Sequence, residues 1–242
     1  MKNRDVVLSI NDLHIPFHDE DAIKVAFKFM KYVDPKIVVL HEWFDWYQIS
    51  KFDKDPVRLN DLQRDLNITG SYLKELRKLL PKTRMVMVRG NHDARLEKYK
   101  RTHAVEFHCL DALKIENLFG LSECNIEYRN DFMFQGVLCK HGDIIRQHSA
   151  YAAKGELARE GVSGMSGHTH RLGQHFETNR GGKYVWMETG CLCNILEYIK
   201  GMANWQQGLG MLAFKPNSKH FYPCLIPIID HEIIWGSETF KI

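Results

Sequence analysis

Five short stretches of this chain carry groups that bind cations. They read Asn11-Asp12-Leu13-His14, His41-Glu42-Trp43-Phe44-Asp45, Gly90-Asn91-His92-Asp93, His141-Gly142-Asp143 and Gly167-His168-Thr169-His170. Each stretch alone reads as a polar turn. Together they supply carboxylate, imidazole and amide donors in a mixture that suits manganese, iron, zinc or nickel. The lack of thiolate argues against a structural zinc site. Two adjacent cations repel each other, so an anionic group between them is expected, with a shared water. Such cations lower the pKa of that water and clamp a phosphoryl oxygen.

Something must bring these stretches to one place. The first three each follow an apolar run, residues 5–10, 36–40 and 83–88, that reads as a buried strand. Helices are predicted between them. One runs from about Asp19 to Tyr32, with Ala22, Ile23, Ala26, Phe27 and Met30 at spacings of three and four. A longer one runs from about Pro56 to Leu80, with Leu59, Leu62, Leu66, Leu73 and Leu76 on one face and Pro81 at its end. Strands and helices alternating in this way imply a parallel sheet whose strand ends share one edge, where ligands of α/β proteins bind. Further on, residues 104–121 and 150–161 look helical. Residues 137–140 and a short run before Gly167 read as strands. From about Gln174 onward, four segments read as strands separated by turns. One domain over residues 1–242 is the simplest organisation.

Composition limits the alternatives. Hydrophobic residues make up 44% and charged residues 26% of the 242, as in an ordinary globular protein. A net charge of +3 does not mark a dedicated nucleic-acid binder. The six cysteines form no C-x-x-C and read as buried free thiols. Cys191 and Cys193 are able to bind metal, although a pair in a core is the simpler reading. The first apolar run is too short for a signal peptide, and no apolar run of about 18 residues suggests a membrane span. A cytoplasmic protein without a membrane partner is expected.

The ordered set D-x-H, a strand-end acid with aspartate three residues on, G-N-H-D, H-G and G-H-T-H resembles the calcineurin-like metallophosphoesterase family. The likeness spans about Asp12 to His170, and residues 50–56 and 204–208 look similar to phage-encoded members. The resemblance implies an α/β fold in which two packed, mostly mixed β-sheets are flanked by helices in four layers. The strand-rich last third would supply much of the second sheet. It also implies two divalent metal ions, manganese foremost, with iron, zinc or nickel as alternatives. One would take Asp12, His14 and His170, the other Asn91, His141 and His168, with Glu42 bridging. His92 would lie outside the metal shell and act on phosphate or leaving group. Asp45 either orients His92 or its loop or is a plain surface carboxylate.

The second motif departs from the family's G-D-x-x-D, because His41 replaces glycine and Glu42 replaces the bridging aspartate. On this basis Glu42→Asp is expected to match or raise activity. His41, Arg95 and Arg171 are candidates for contacting substrate; packing or ion pairing is the alternative for each. Trp43, Phe44, Trp46 and Tyr47 either wall the site and stack a nucleobase or fill core. The leading function is a metal-dependent phosphoric ester hydrolase in which hydroxide attacks phosphorus. It would be a phosphodiesterase or nuclease on DNA, RNA or nucleotides, in the host cytoplasm if phage-encoded. A phosphomonoesterase is the alternative, either a nucleotidase or a protein phosphatase. So is a metal-binding protein whose catalysis Glu42 has weakened.

Overall fold

The computed structural model describes residues 5–51, 54, 61–194, 203–216 and 218–242. Strand β1 (Asp5–Asn11) lies inside a six-stranded sheet, parallel to β2 (Ile37–His41). β2 pairs in parallel with β3 (Arg84–Val88), and β3 with β4 (Ile126–Arg129). On the other side of β1 run two antiparallel strands, β10 (Gly208–Phe214) and β11 (Phe221–Pro227). The second sheet orders β5 (Phe132–Phe134), β6 (Val137–Cys139), β7 (Ser163–Ser166), β9 (Gly182–Thr189) and β8 (Leu172–Asn179).

Alternation along the strands explains the layering. Val7, Val39 and Val86 point to one side and pack on Met165, Met187 and Cys139 of the second sheet. Leu8, Val38 and Met87 point the other way, onto helices α1 (Glu20–Val33) and α2 (Leu62–Leu79). Helix α5 (Tyr151–Glu160) covers the far face of the second sheet through Ala153 and Leu157 against Leu138 and Trp186. The result is the expected four-layer arrangement of two mixed sheets between helices. A hairpin of β12 (Glu232–Trp235) and β13 (Glu238–Lys241) packs Trp235 and Phe240 edge-on against Phe29 of α1.

Local chemistry sets the helix limits. The Asp19 carboxylate accepts from the backbone N–H groups of Asp21 and Ala22, capping α1. Asp34 ends that helix in a left-handed conformation, φ 48°, with its N–H donated to the Met30 carbonyl. α2 starts at Leu62; the predicted start at Pro56, with Leu59, lies outside the described residues.

Several expectations are corrected. Residues 104–121, which follow α3 (Asp93–His103), do not form one helix. They make two 3-10 turns and the short α4 (Ile115–Leu118), whose Phe119 neighbour packs on Trp46. The last third supplies β8 and β9, the two longest strands of the second sheet, as expected, but its β10 and β11 extend the first sheet. Cys109 is exposed and Cys224 half-buried, while the other four thiols are buried. Among the described residues, no helix is long and apolar enough to cross a membrane.

Candidate metal centre

The three parallel strands β1, β2 and β3 stop in step. Asn11 is opposite His41, and His41 is opposite Val88. The next residues, Asp12, Glu42 and Arg89, therefore emerge side by side. In the second sheet Cys139 is opposite Met165, so the turns carrying His141 and His168 also leave one edge. A buried polar chain joins the sheets below that edge. Ser9 Oγ donates to Asn11 Oδ1 at 2.6 Å, Asn11 donates to Thr189 Oγ1, and Thr189 donates to the Ser166 carbonyl at 2.9 Å.

The turns then bend sharply. Asp12, His14, Glu42, His168 and His170 all have φ between 44° and 70°. Such conformations cost side-chain-bearing residues about 1–3 kcal/mol each and persist where the surroundings enforce them. The bends aim donor atoms inward. His14 Nε2 lies 2.9 Å from His170 Nε2 and 3.9 Å from Asp12 Oδ1. On the other side, His141 Nε2 lies 2.8 Å from Asn91 Oδ1 and 3.2 Å from His168 Nδ1, which is itself 2.8 Å from Asn91 Oδ1. Glu42 sits between the two groups, with Oε2 2.9 Å from His141 Nε2 and 4.0 Å from His14 Nε2. Its Oε1 accepts from the His92 backbone N–H.

Two glycines make room for these carboxylates. A Cβ on Gly90 would lie 2.4 Å from Glu42 Oε1, and one on Gly167 would lie 2.5 Å from Asp12 Oδ2. The cluster is otherwise closed: Asp12, His14, Glu42 and His141 are buried, and Asn91 and His168 form the accessible side.

Electrostatics fit a cation. Asp12 Oδ1 and His141 Nδ1 are buried without hydrogen-bond partners, 3.8 Å apart. Burial pushes the Asp12 carboxyl up to about 6. Burial also acts to raise Glu42, but the facing His141 and His92 outweigh it and hold that carboxyl well below its usual range. For His141 burial opposes the charge, and Glu42 overcomes it to reach about 9. Burial, with His141 nearby, pushes His168 down to about 4, and burial with His14 nearby holds His170 well below its usual range. Imidazoles and carboxylates converging on shared points form the donor set that a divalent cation takes up, with the cation displacing the proton that Glu42 holds on His141. Three donor atoms lie mutually within 4.8 Å in Asp12, His14, His170, and again in Glu42, His141, His168.

The other candidates fall into two classes. His92 is adjacent, also grouped within 4.8 Å with His14 and Glu42. Its Nδ1 is 3.1 Å from Asp45 Oδ2, too poorly aligned to count as a hydrogen bond, and its Nε2 is 2.7 Å from Arg95 Nη2. Arg95 also donates to the Asp45 carbonyl at 2.9 Å, so both arms of its guanidinium are engaged in holding His92 and Asp45. His41 and Arg171 are corrections to the substrate-contact expectation. His41 is fully buried beneath the site, with burial and His141 pushing it down to about 3. Arg171 donates to the carbonyls of Asn204 and Arg146 and braces two loops. Trp43, Phe44, Trp46 and Tyr47 are all buried, so none offers a face for a base.

Two residues at the site were not anticipated. Arg89 lines a cavity of about 250 Å³ with Asn91, Asn130, Lys140 and His141. Its place just before Gly90, at the strand end, was the available signal. Trp205 packs edge-on against His170 at 4.1 Å between ring centres; no local pattern links residues so far apart.

Comparison with known proteins supplies a lineage. No family model matches the chain. Among solved structures, Vacuolar Protein Sorting 29 from Cryptosporidium parvum superposes over the whole of both chains with a TM-score of 0.51 and 13% identity. That likeness identifies the architecture as the calcineurin-like metallophosphoesterase fold, and nothing finer. The chain is 29% identical to the Gene 54 protein of Mycobacterium phage L5 over 252 aligned positions, covering 95% of each. It is 31% identical to the Gene 54 protein of Mycobacterium phage D29 over the same length and coverage, and it therefore belongs to the family of these phage Gene 54 proteins.

Proposed function

We propose that this chain is a two-metal phosphoesterase that cleaves phosphodiesters of nucleic acids or nucleotides, acting in the cytoplasm of a phage-infected host. In this reading residues 1–242 work as one domain. Asp12, His14 and His170 hold one divalent ion. Asn91, His141 and His168 hold the other, Glu42 bridges them, and manganese suits the oxygen-and-imidazole set. The observation that carries the proposal is the position of Glu42, whose Oε2 faces His141 at 2.9 Å and His14 at 4.0 Å, one from each group. Bound cations at such a site would acidify water and neutralise phosphoryl oxygens.

The chain's own residues do the rest. His92 delivers a proton to the leaving oxygen once substrate draws Arg95 away from its Nε2, while Asp45 faces its Nδ1. The accessible side at Asn91 and His168 admits the phosphoryl group. Arg89 lines the adjoining cavity and favours a substrate with further negative charge, whereas Lys140 there is paired with Glu160 at 2.8 Å and Glu156 at 3.2 Å. The buried aromatic loop lends no support to base stacking.

A second reading is a metal-binding protein without turnover. It is favoured by the glutamate at the bridging place and by the fold likeness to a protein named for sorting. Manganese-dependent hydrolysis of bis-p-nitrophenyl phosphate, run beside p-nitrophenyl phosphate with His92→Ala as control, separates the readings. Preference for the diester supports the proposal. Preference for the monoester redirects it to a phosphomonoesterase, and metal uptake with no hydrolysis of either supports the second reading.

A further inference from the structure

Beside the oxygen-and-imidazole cluster lie two thiols that the phosphoesterase reading does not use, next to His170, which it does. We propose that Cys191 and Cys193, with the second ring nitrogen of His170, form a site for a soft divalent cation of the zinc or cadmium class. A ring nitrogen of His170 and both sulfurs lie within 4.8 Å of one another, and all three residues are buried. His170 Nε2 is turned to His14, whereas its Nδ1 is buried with no hydrogen-bond partner. A thiol pair that merely filled core would leave that nitrogen unexplained, since burying a polar atom without a partner forfeits its hydrogen bonds to water.

The backbone fixes the three ligands on one frame. Gln206 donates its N–H to the His170 carbonyl at 2.8 Å and accepts from the Cys191 N–H at 3.2 Å. Leu192, between the two cysteines, donates to the carbonyls of Asn11 and Asp12, and its own carbonyl accepts from Asp19 at 2.9 Å. Cys193 forms a bridge with His18. The cysteine loop is thus held from both sides before any cation arrives, as a metal site requires. Zinc bonds of about 2.3 Å to sulfur and 2.0–2.1 Å to nitrogen need only a small contraction of this triangle, with water as a fourth ligand. On binding, each thiol releases its proton to solvent, and two thiolates balance the cation's charge in a buried place.

Cobalt(II) is the probe, added to the full chain. A sulfur-to-cobalt charge-transfer band whose amplitude at saturation corresponds to one thiolate-bound cobalt per chain is expected. Cys191→Ser and Cys193→Ser each abolish the band. Cys139→Ser keeps it, because that thiol lies between the sheets. Asp12→Ala also keeps it, so loss of the oxygen-bound metals and loss of the thiol site are read separately. No band in the unsubstituted chain, or a band that survives both serines, overturns the proposal. Should the serine variants fail to fold, zinc-edge X-ray absorption on the unsubstituted chain decides. Sulfur neighbours at about 2.3 Å support the site, and a shell of nitrogen and oxygen alone overturns it.

Discussion

Asp45 Oδ2 accepts a hydrogen bond from His14 Nδ1 at 3.2 Å, behind the cluster. That bond keeps the proton on Nδ1 and turns the Nε2 lone pair toward Asp12 and His170. Burial alone would raise the Asp45 carboxyl, but its contacts with His14 and His92 hold it well below the usual range, so it stays charged. Asp45→Ala is expected to weaken metal binding about 10–100-fold. Calorimetric titration with manganese measures this, and unchanged affinity would remove Asp45 from the orienting role.

His92 contributes its backbone N–H to Glu42 and its ring to Asp45 and Arg95. His92→Ala keeps the backbone bond. It should retain both metals while hydrolysis falls about 10²–10⁴-fold, the usual contribution of a positioned proton donor. Metal content by elemental analysis, read beside the rate, tests this; loss of metal would make His92 a ligand.

The structure reverses the direction expected for Glu42→Asp. Glu42 reaches both the His92 N–H and His141, and its carboxylate fills the space over Gly90. A side chain one methylene shorter withdraws from both contacts, so metal affinity and activity should fall rather than rise. Gly90→Ala attacks the same place from the other side. Its Cβ would lie 2.4 Å from Glu42 Oε1 and 2.8 Å from Glu42 Cδ, in a buried setting where the carboxylate cannot easily move. Overpacking of this kind costs about 1–3 kcal/mol. Urea unfolding of Gly90→Ala, together with metal titration of both variants, checks these expectations. A Glu42→Asp protein that binds and turns over better would show that the loop closes up around the shorter residue.

Far from the metals, Asp19 links three elements. It caps α1, accepts from Gln207 Nε2 at 2.9 Å, and lies 3.0 Å from His231 Nε2. Burial acts to raise Asp19, but the Ala22 N–H, Gln207 and His231 outweigh it and lower it below 3.8, while the bond to Asp19 raises His231 above 6.5. The Asp19 contribution is therefore present above 3.8 and lost as pH falls through its depressed value. The His231 contribution is complete below 6.5 and lost as pH rises through its raised value. The stability gap between the unsubstituted chain and His231→Gln should be widest between pH 3.8 and 6.5 and narrow on the alkaline side. Urea midpoints across pH measure it, and a gap that widens with pH would contradict the pairing. Asp19→Ala should cost about 1 kcal/mol through the lost cap.

The sequence by itself determined the strand ends. Apolar runs stopping at Asn11, His41 and Val88 announce buried parallel strands, and the polar residues after each stop had to share an edge. That reasoning placed Asp12, His14, Glu42, Asn91 and His92 in one region, because strand periodicity and parallel register are local properties; His141, His168 and His170, which leave the second sheet, were joined to them only through the ordered motifs and the family they resemble. Contact between distant segments was not legible. The split of the last third between two sheets, the burial of His41 and of all four loop aromatics, and the arrival of Trp205 on His170 depend on packing between segments far apart in sequence. Arg95 and Arg171 looked free to meet phosphate, since a guanidinium's partners are chosen only when loops close around it. The same holds for Cys191 and Cys193. Two thiols in an apolar run read as core until the tertiary fold sets His170 beside them, and no spacing rule spans that distance.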